Sequence, residues 1–266
     1  MYREDVIKVG EVTLCVFEWS GAGPPLVLLH GAGQNALWWN QFANALPERR
    51  IVAVDMPGHG MSSPATEWNL EAIAELLFEG LRPRLPGSAV WGGQSWGGKV
   101  AALVAATRRQ ECAGLLLIDP SPAQGISVDV EQFVGASFGR ELGPWPSVEV
   151  ATKEVASLAQ YRIWSDPLKL AFERGLTRTE EGDWRACVSR QTLASCTETT
   201  LLIDHSHVLA NLSPPTLLIV AGDSLAWQRP TNMSLLPTAE LRVVQGSHWL
   251  HVQRATEIAA LASSWL

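Results

Sequence analysis

The sequence has few charged residues, few tyrosines and phenylalanines, and no long apolar run. Charged residues make up 18% of the 266 positions, below the roughly one quarter that is usual. The net charge is −7, so the chain lacks the basic surface that binds nucleic acid or anionic membranes. No apolar run approaches the roughly 18 residues that a membrane span needs. We therefore expect neither nucleic acid nor a membrane as a partner.

Cysteine is also scarce, with four residues far apart in the chain: Cys15, Cys112, Cys187 and Cys196. None belongs to a C-x-x-C pair or has the histidine spacing of a zinc site. Residues 1–5 alternate in charge instead of forming the apolar stretch of a secretory signal. We expect buried thiols in a cytoplasmic protein, with no disulfide, no metal and no cofactor.

Tryptophan, by contrast, is abundant. The chain has 12 tryptophans against 6 phenylalanines and 2 tyrosines, and 47% of its residues are hydrophobic. Such an excess of indole is typical of a thick core or of an aromatic-lined cavity. The length fits one large α/β domain, or one domain that carries an insertion.

Short apolar runs alternate with helix-period stretches along most of the chain. A hairpin is predicted over 5–19, and buried strands are predicted at 26–29, 51–54, 88–92, 115–118, 217–220 and 241–244. Helices are predicted at about 38–46, 69–82, 96–108 and 251–265. This order indicates an α/β fold, with a mostly parallel eight-stranded sheet and helices on both faces.

The alternation stops once, between Pro120 and about Ser213. This stretch has no buried strand run and contains only helix-like pieces separated by proline and glycine. We expect a helical cap over 120–213, inserted after the sixth strand, with the core formed by 1–119 and 214–266.

The pattern G-x-S-x-G occurs once in a context that gives it chemical meaning. Gly93-Gln94-Ser95-Trp96-Gly97 follows a predicted strand and opens a predicted helix. The flanking glycines fit a strained turn that exposes the serine hydroxyl, and the helix N-terminus favours negative charge beside it. The sequence therefore predicts Ser95 as a nucleophile.

A hydrolytic nucleophile needs N–H donors for the oxyanion and a general base. We expect the donors to be the amides of Trp96, which follows the serine, and of Ala32, in the H-G-A-G segment 30–33. His248 lies just past the last predicted strand and before the last helix, so it is the predicted base.

Two aspartates could orient this histidine. Asp223 follows the predicted strand over 216–221, and Asp119 follows the strand over 115–118. Both satisfy the chain order Ser, Asp, His. The two remain alternatives, with Asp223 slightly favoured.

Together these segments resemble the α/β-hydrolase superfamily over essentially the whole chain. The resemblance rests on the H-G-x-G loop, the D-x-P-G-H-G-x-S segment 55–62, the G-x-S-x-G turn 93–97 (the nucleophile elbow), the cap insertion and the late histidine. It implies a cofactor-free hydrolase with a Ser-His-acid triad. The sequence departs from the family at the acid, because the usual G-x-x-D spacing from Gly222 ends on Leu225, whereas some relatives take the acid from the position of Asp119.

The expected function is cleavage of an ester, lactone or thioester of a small molecule. Alternatives are hydrolysis of a carbon–carbon bond in an aromatic ring-cleavage product, perhydrolase-type chemistry, or a ligand receptor without turnover. Relatives that cleave carbon–carbon bonds usually add a cap arginine, and Arg162 or Arg174 could fill that position.

The tryptophans predict the kind of ligand. Many of them lie beside catalytic segments or in the cap, which favours a bulky, apolar and aromatic or polycyclic substrate. We expect at least two of Trp145, Trp164 and Trp184 to face the cavity above the serine. The predicted substrate-binding residues are Trp38, Trp145, Trp164 and Trp249.

Overall fold

The computed structural model describes residues 1–158 and 164–266. Its strands are β1 Tyr2–Val9, β2 Val12–Trp19, β3 Ala22–Leu29, β4 Arg49–Val54, β5 Ala89–Ser95, β6 Cys112–Pro120, β7 Leu176–Arg178, β8 Trp184–Ala186, β9 Thr216–Ala221 and β10 Glu240–Val244. Its α-helices are α1 Asn40–Asn44, α2 Leu70–Leu81, α3 Trp96–Thr107, α4 Val130–Phe138, α5 Val148–Ala156, α6 Asp166–Arg174, α7 Arg190–Thr197, α8 Ser206–Ala210, α9 Leu225–Gln228, α10 Leu250–Gln253 and α11 Ala255–Trp265. A 3-10 turn over Ala36–Trp39 and a π-helical turn over Glu198–Leu202 extend α1 and α7.

Eight of the strands form one sheet in the order β1-β2-β4-β3-β5-β6-β9-β10. β1 pairs antiparallel with β2 and β2 pairs antiparallel with β4, whereas the other neighbours are parallel. The prediction of a mostly parallel eight-stranded sheet is confirmed. The carboxyl ends of β3, β5, β6, β9 and β10 share one edge, which is where the loops of this fold class carry a site.

Both faces of the sheet are covered, because the central strands are apolar at nearly every position. β9 is buried along its whole length. One face packs against α2 and α3, where Trp91 and Val100 are among the buried residues, and the other packs against α1 and α11, where Phe42 and Ile258 are buried. Each such side chain stabilises the fold by about 1.5–3 kcal/mol.

The stretch between β6 and β9, which we call the inserted segment (121–215), holds α4 to α8 within its described residues. The expectation of helical pieces alone was wrong, because β7 and β8 pair there as a small antiparallel hairpin. Each strand has only three residues, too few to give an apolar run. The connecting turn includes Gly182 at φ +96° and is closed by the Thr179 N–H, which donates to the Asp183 carbonyl over 2.7 Å.

No helix within the described ranges is long and apolar enough to cross a bilayer. The four cysteines are free thiols, and burial raises the pKa of Cys15 to about 12 and that of Cys112 to about 11. In the part of the chain that the structure describes, no group of three histidine, cysteine or acidic side chains could hold a metal ion.

Candidate active site

Ser95 lies at the junction of β5 and α3, in a conformation that few non-glycine residues adopt. Its φ is +53°. A Cβ at Gly93 would lie 2.3 Å from the backbone of Gly97, and a Cβ at Gly97 would lie 2.2 Å from the carbonyl oxygen of Leu29. Glycine is therefore required on both sides of the serine. The sharp turn leaves the Ser95 hydroxyl at the carboxyl edge of the sheet, above the N-terminus of α3.

Asp119 is the other non-glycine residue with a positive φ in the described ranges, at +43°. Its strand is irregular at this point, because Gln94 pairs with Ile118 whereas Ser95 pairs with Pro120. Asp119 is thus the extra residue of a β-bulge. Bulges redirect side chains beside functional sites, and this one turns a carboxylate across the end of the sheet.

The structure brings Asp119 and His248 together. The histidine Nδ1 lies 2.6 Å from Asp119 Oδ2. The carboxylate is fully buried and also accepts hydrogen bonds from the Ala221 N–H (3.0 Å), the Ser224 hydroxyl (2.6 Å) and the Gln228 amide (3.3 Å). Asp119 can therefore hold the histidine ring so that Nε2 is available as a proton acceptor.

Asp223, the other acid candidate, lies apart from this contact. It belongs to a 3-10 turn directly after β9, where its N–H donates to the Gly246 carbonyl over 3.2 Å and its side chain is exposed. The slight preference for Asp223 over Asp119 has no support in this geometry, because the turn points its carboxylate into solvent.

The residues expected to bind the oxyanion border the same cavity as Ser95. Ala32 and Trp96 both line it. The loop that carries Ala32 is fixed by two neutral imidazoles: His30 Nε2 accepts from the Met56 N–H over 2.9 Å, and His59 Nε2 accepts from the Gly33 N–H over 3.1 Å. Burial lowers the pKa of His59 to about 4 and that of His30 well below its usual value. These two histidines are therefore uncharged supports of the loop.

A chain of buried amides links the loops around Ser95, and the sequence analysis missed it. The Gln94 amide donates to the His248 carbonyl over 2.9 Å, and the Gln34 amide donates to Gln94 Oε1 over 3.3 Å. His251 Nε2 donates to Gln34 Oε1 over 3.1 Å, and burial lowers the pKa of this histidine to about 3. The only available signal was that Gln94 occupies the first variable position of G-x-S-x-G. The chain of bonds ties the His248 loop to the elbow.

Ser121 is a second residue that the sequence analysis missed. Its hydroxyl lies 3.2 Å from the Ser95 hydroxyl, so it contacts the predicted nucleophile directly. Its position in the D-P-S-P stretch after β6, two residues beyond Asp119, was a signal that could have identified it.

The cavity above Ser95 has a volume of about 340 Å³. Its floor is formed by the elbow, Ala32, His248 and Trp249, and its walls come from the inserted segment. The wall residues lie on α4 and on α7 with the π-helical turn that follows it: Phe133, Ala136, Ser137, Phe138, Cys196, Thr197, Thr200 and Leu201. None of the described residues that line this cavity is an aspartate, glutamate, lysine or arginine. The cavity therefore suits an uncharged ligand of modest size.

The expectation that at least two of Trp145, Trp164 and Trp184 face this cavity was wrong, since its described lining contains none of them. Trp145 is buried against Phe172, and its indole N–H donates to Glu154 over 3.1 Å. Trp164 packs edge-on against Phe172 at 5.9 Å. Trp145 pairs through its backbone with Trp184 of the β7–β8 hairpin, and both indoles pack in a hydrophobic cluster instead of lining the cavity.

Of the other predicted substrate-binding residues, Trp249 lines the cavity and Trp38 does not. Trp38 is buried, packs against Trp249 at 5.5 Å and borders a smaller neighbouring space. Arg174 forms an ion pair with Glu4 and lies outside the cavity lining. Arg162 lies outside the described residues.

Lys99 joins the inserted segment to α3. Its ammonium group donates to the carbonyls of Pro122 (3.0 Å), Thr200 (2.6 Å) and Ile203 (3.3 Å). The side chain is buried, and burial lowers its pKa to about 8. Because Thr200 lines the cavity, this lysine fixes one wall relative to the helix that begins beside Ser95.

Comparison with known proteins identifies the class. A model of the alpha/beta hydrolase family matches residues 26–261. The chain therefore belongs to the alpha/beta hydrolase family, and the resemblance inferred from its motifs is confirmed.

Particular relatives match shorter stretches. The chain is 40% identical over 103 residues to a pimeloyl-acyl-carrier-protein methyl ester esterase of Vibrio campbellii, covering 38% of this chain and 39% of the esterase. It is 37% identical over 113 residues to the lipase LipV of Mycobacterium tuberculosis, covering 42% and 43%. These matches thus span about two fifths of the relatives' length.

Structural similarity extends over the whole chain. The solved structure of E-2-(acetamidomethylene)succinate hydrolase superposes with a TM-score of 0.84 at 21% identity, covering 99% of this chain and 98% of that one. At this identity the likeness shows a shared fold.

Proposed function

We propose that this protein is a serine hydrolase that cleaves a carboxylic ester of a small, uncharged and largely apolar molecule. One observation carries the proposal: Ser95, at a strained elbow, lines the same cavity as a histidine that is paired to a buried carboxylate. The esterase and lipase among its relatives support the same class of reaction. Lactones and thioesters present the same electrophilic carbonyl and fall within the proposal.

In the proposed mechanism, Ser95 Oγ attacks the carbonyl carbon while His248 Nε2 takes its proton. Asp119 holds the opposite ring nitrogen and stabilises the imidazolium that forms. The amides of Ala32 and Trp96 receive the oxyanion. The intermediate then expels the alcohol, which is protonated by His248, and leaves an acyl group on Ser95.

Water completes the reaction. His248 takes a proton from a water molecule that attacks the acyl carbon, and it returns a proton to Ser95 Oγ as the acid product leaves. Every proton is handled by the one imidazole, so this sequence needs no further acid or base.

We propose that residues 120–213 act as a cap over a core of 1–119 and 214–266. The support is that α4, α7 and the π-helical turn supply the cavity wall, while the proposed catalytic residues lie on the core loops. The cap would then select the acyl or alcohol group, and its phenylalanines favour an apolar one.

The neutral lining distinguishes this proposal from hydrolysis of a carbon–carbon bond in an anionic ring-cleavage product. Such a substrate needs a cationic partner for its carboxylate, and the described cavity lining supplies none. We therefore expect p-nitrophenyl butyrate to be hydrolysed with a higher kcat/KM than p-nitrophenyl hemisuccinate, which has a similar length and a terminal carboxylate.

The decisive test is Ser95→Ala. We expect kcat for p-nitrophenyl butyrate to fall by about 10⁴-fold or more, because the nucleophile is lost. Ser137→Ala is the matched control, since it removes another hydroxyl from the cavity lining without touching the elbow. Phenylmethylsulfonyl fluoride should label Ser95 in the wild type. Turnover retained in Ser95→Ala would overturn the proposal, and labelling of a wild type that hydrolyses no ester would identify a receptor instead.

A further inference from the structure

Ser121 is held against the nucleophile by its backbone. Its N–H donates to the Ser95 carbonyl over 3.2 Å, and its own carbonyl accepts from the Asn232 amide over 3.0 Å. The residue is 7% exposed. The main chain is thus fixed beside Ser95, and the two hydroxyls lie 3.2 Å apart.

Either hydroxyl could donate in this hydrogen bond, and the proposed role of His248 as the base assigns its direction. Its Nδ1 lies against a carboxylate and so carries the proton, which leaves Nε2 as an acceptor. Nε2 must receive the Ser95 proton if it acts as the base. Ser121 is then the donor of the pair, and Ser95 Oγ is the acceptor.

We propose that Ser121 is a further catalytic residue, whose hydroxyl stabilises Ser95 Oγ as it departs from the acyl group. This rests on the proposed function and assigns a role within it. In the acyl-enzyme, Ser95 Oγ is the alkoxy oxygen of an ester, which is a weak acceptor. As the tetrahedral intermediate collapses, the bond from carbon to Oγ breaks and its electron pair passes to Oγ. The donated hydrogen bond strengthens as that charge develops.

Ser121 transfers no proton in this step. The departing Oγ takes the proton that His248 received from the attacking water, and the acid product keeps the hydroxyl of that water. The hydrogen bond from Ser121 strengthens more in deacylation than in acylation. In acylation the starting state is the Ser95 hydroxyl, which is already a good acceptor for Ser121. Loss of Ser121 should therefore slow the two half-reactions unequally.

Stopped-flow kinetics with p-nitrophenyl butyrate separate the two. Release of p-nitrophenol in the first turnover reports acylation, and the steady state that follows reports deacylation. In Ser121→Ala we expect deacylation to slow by about tenfold, in line with the loss of one hydrogen bond, and acylation by no more than about threefold. Because slower deacylation lets the acyl-enzyme accumulate, kcat and KM for p-nitrophenyl butyrate should fall together.

Ser121→Thr and Ser121→Val provide a matched pair of equal size, in which only the threonine keeps the hydroxyl. We expect Ser121→Thr to deacylate faster than Ser121→Val, and this comparison stands even where Ser121→Ala disturbs folding. An equal slowing of both half-reactions, an unchanged deacylation rate or a faster one would overturn the inference. If Ser95→Ala is inactive and one of these contradicting outcomes is observed, the proposed role of Ser121 is wrong but the proposed function stands. If Ser95→Ala stays active, the proposed function itself fails.

Discussion

The carboxyl ends of β6 and β9 show how differently two neighbouring strands can use the same residue. Both strands are buried, and they pair directly with each other in parallel. Asp119 lies within the last two residues of β6, and Asp223 lies two residues after β9. At the end of β6, Asp119 is fully buried and accepts four hydrogen bonds, one of them from His248. At the end of β9, Asp223 is exposed. The position of an aspartate at a strand end is thus not sufficient to bury its side chain, because the surrounding hydrogen-bond donors decide whether the side chain is held inside.

The polar groups that hold the end of β6 come from elements distant in sequence. Asn232 donates to the carbonyls of Pro120 and Ser121 and accepts from the Ala123 N–H. Lys99 donates to the Pro122 carbonyl. No comparable set of donors surrounds the Asp223 carboxylate within the described residues. Three comparisons of paired variants test whether this difference affects activity and stability.

The largest expected effect separates the two aspartates. Asp119→Asn should lower kcat for p-nitrophenyl butyrate by about 10⁴-fold, because an amide cannot hold the histidine in the tautomer that accepts a proton. Asp223→Asn should change kcat by less than about twofold, as expected of an exposed side chain. Steady-state kinetics of the two variants check this, with thermal melts to confirm folding. A larger loss in Asp223→Asn would reverse the comparison.

A smaller effect should appear in the pH dependence of stability. Lys99 has a folded pKa of about 8, depressed from 10.5. Between these values the unfolded chain binds more protons than the native one, so the free energy of unfolding rises with pH. The stabilisation is complete above pH 10.5 and is lost as the pH falls through 8. Relative to that of Lys99→Met, the free energy of unfolding of the wild type should rise by about 3 kcal/mol between pH 8 and 10.5.

Urea denaturation of both proteins at pH 7 to 10.5 measures this gain. Lys153→Met is the control, because that lysine is exposed on α5 and its variant should follow the wild type at every pH. Parallel curves for wild type and Lys99→Met would show that the buried ammonium does not control stability in this range.

The smallest effect concerns the amide that fixes the chain after β6. Asn232→Ala removes four buried hydrogen bonds, to Pro120, Ser121, Ala123 and Gln228, and we expect the free energy of unfolding to fall by about 2 kcal/mol. The same denaturation experiment measures it. Asn44→Ala, at an exposed site on α1, should fall by less than about 0.5 kcal/mol. Equal values for the two variants would mean that the end of β6 is held in another way.

Much of the fold was predictable, since hydrophobic periodicity and the positions of glycine and proline indicate where its strands, helices and turns lie. Continuous apolar runs identified the central strands, and the helix predicted over 69–82 is observed as α2 over Leu70–Leu81. The β7–β8 hairpin was missed because three-residue strands leave no periodic signal. The indoles of Trp145 and Trp164 were misplaced because sequence neighbourhood does not determine which way a side chain points.

The site was predictable where a motif specifies local geometry, and not where geometry arises between distant segments. The glycines that flank Ser95 predict the strained turn at that residue. The bulge that turns Asp119 towards His248 has no such signature, because it depends on the register between β5 and β6. Ser121 and Asn232 lie 111 residues apart, so only the folded chain could show their contact.

The position of the inserted segment also bears on protein engineering. Ser95 and Asp119 precede it, whereas His248 follows it. A cut in the exposed turn of the β7–β8 hairpin would leave the proposed nucleophile and acid on one fragment and the proposed base on the other. Such a pair of fragments would become catalytically competent only on reassembly, which makes this turn the natural place to divide the chain into a split-enzyme reporter.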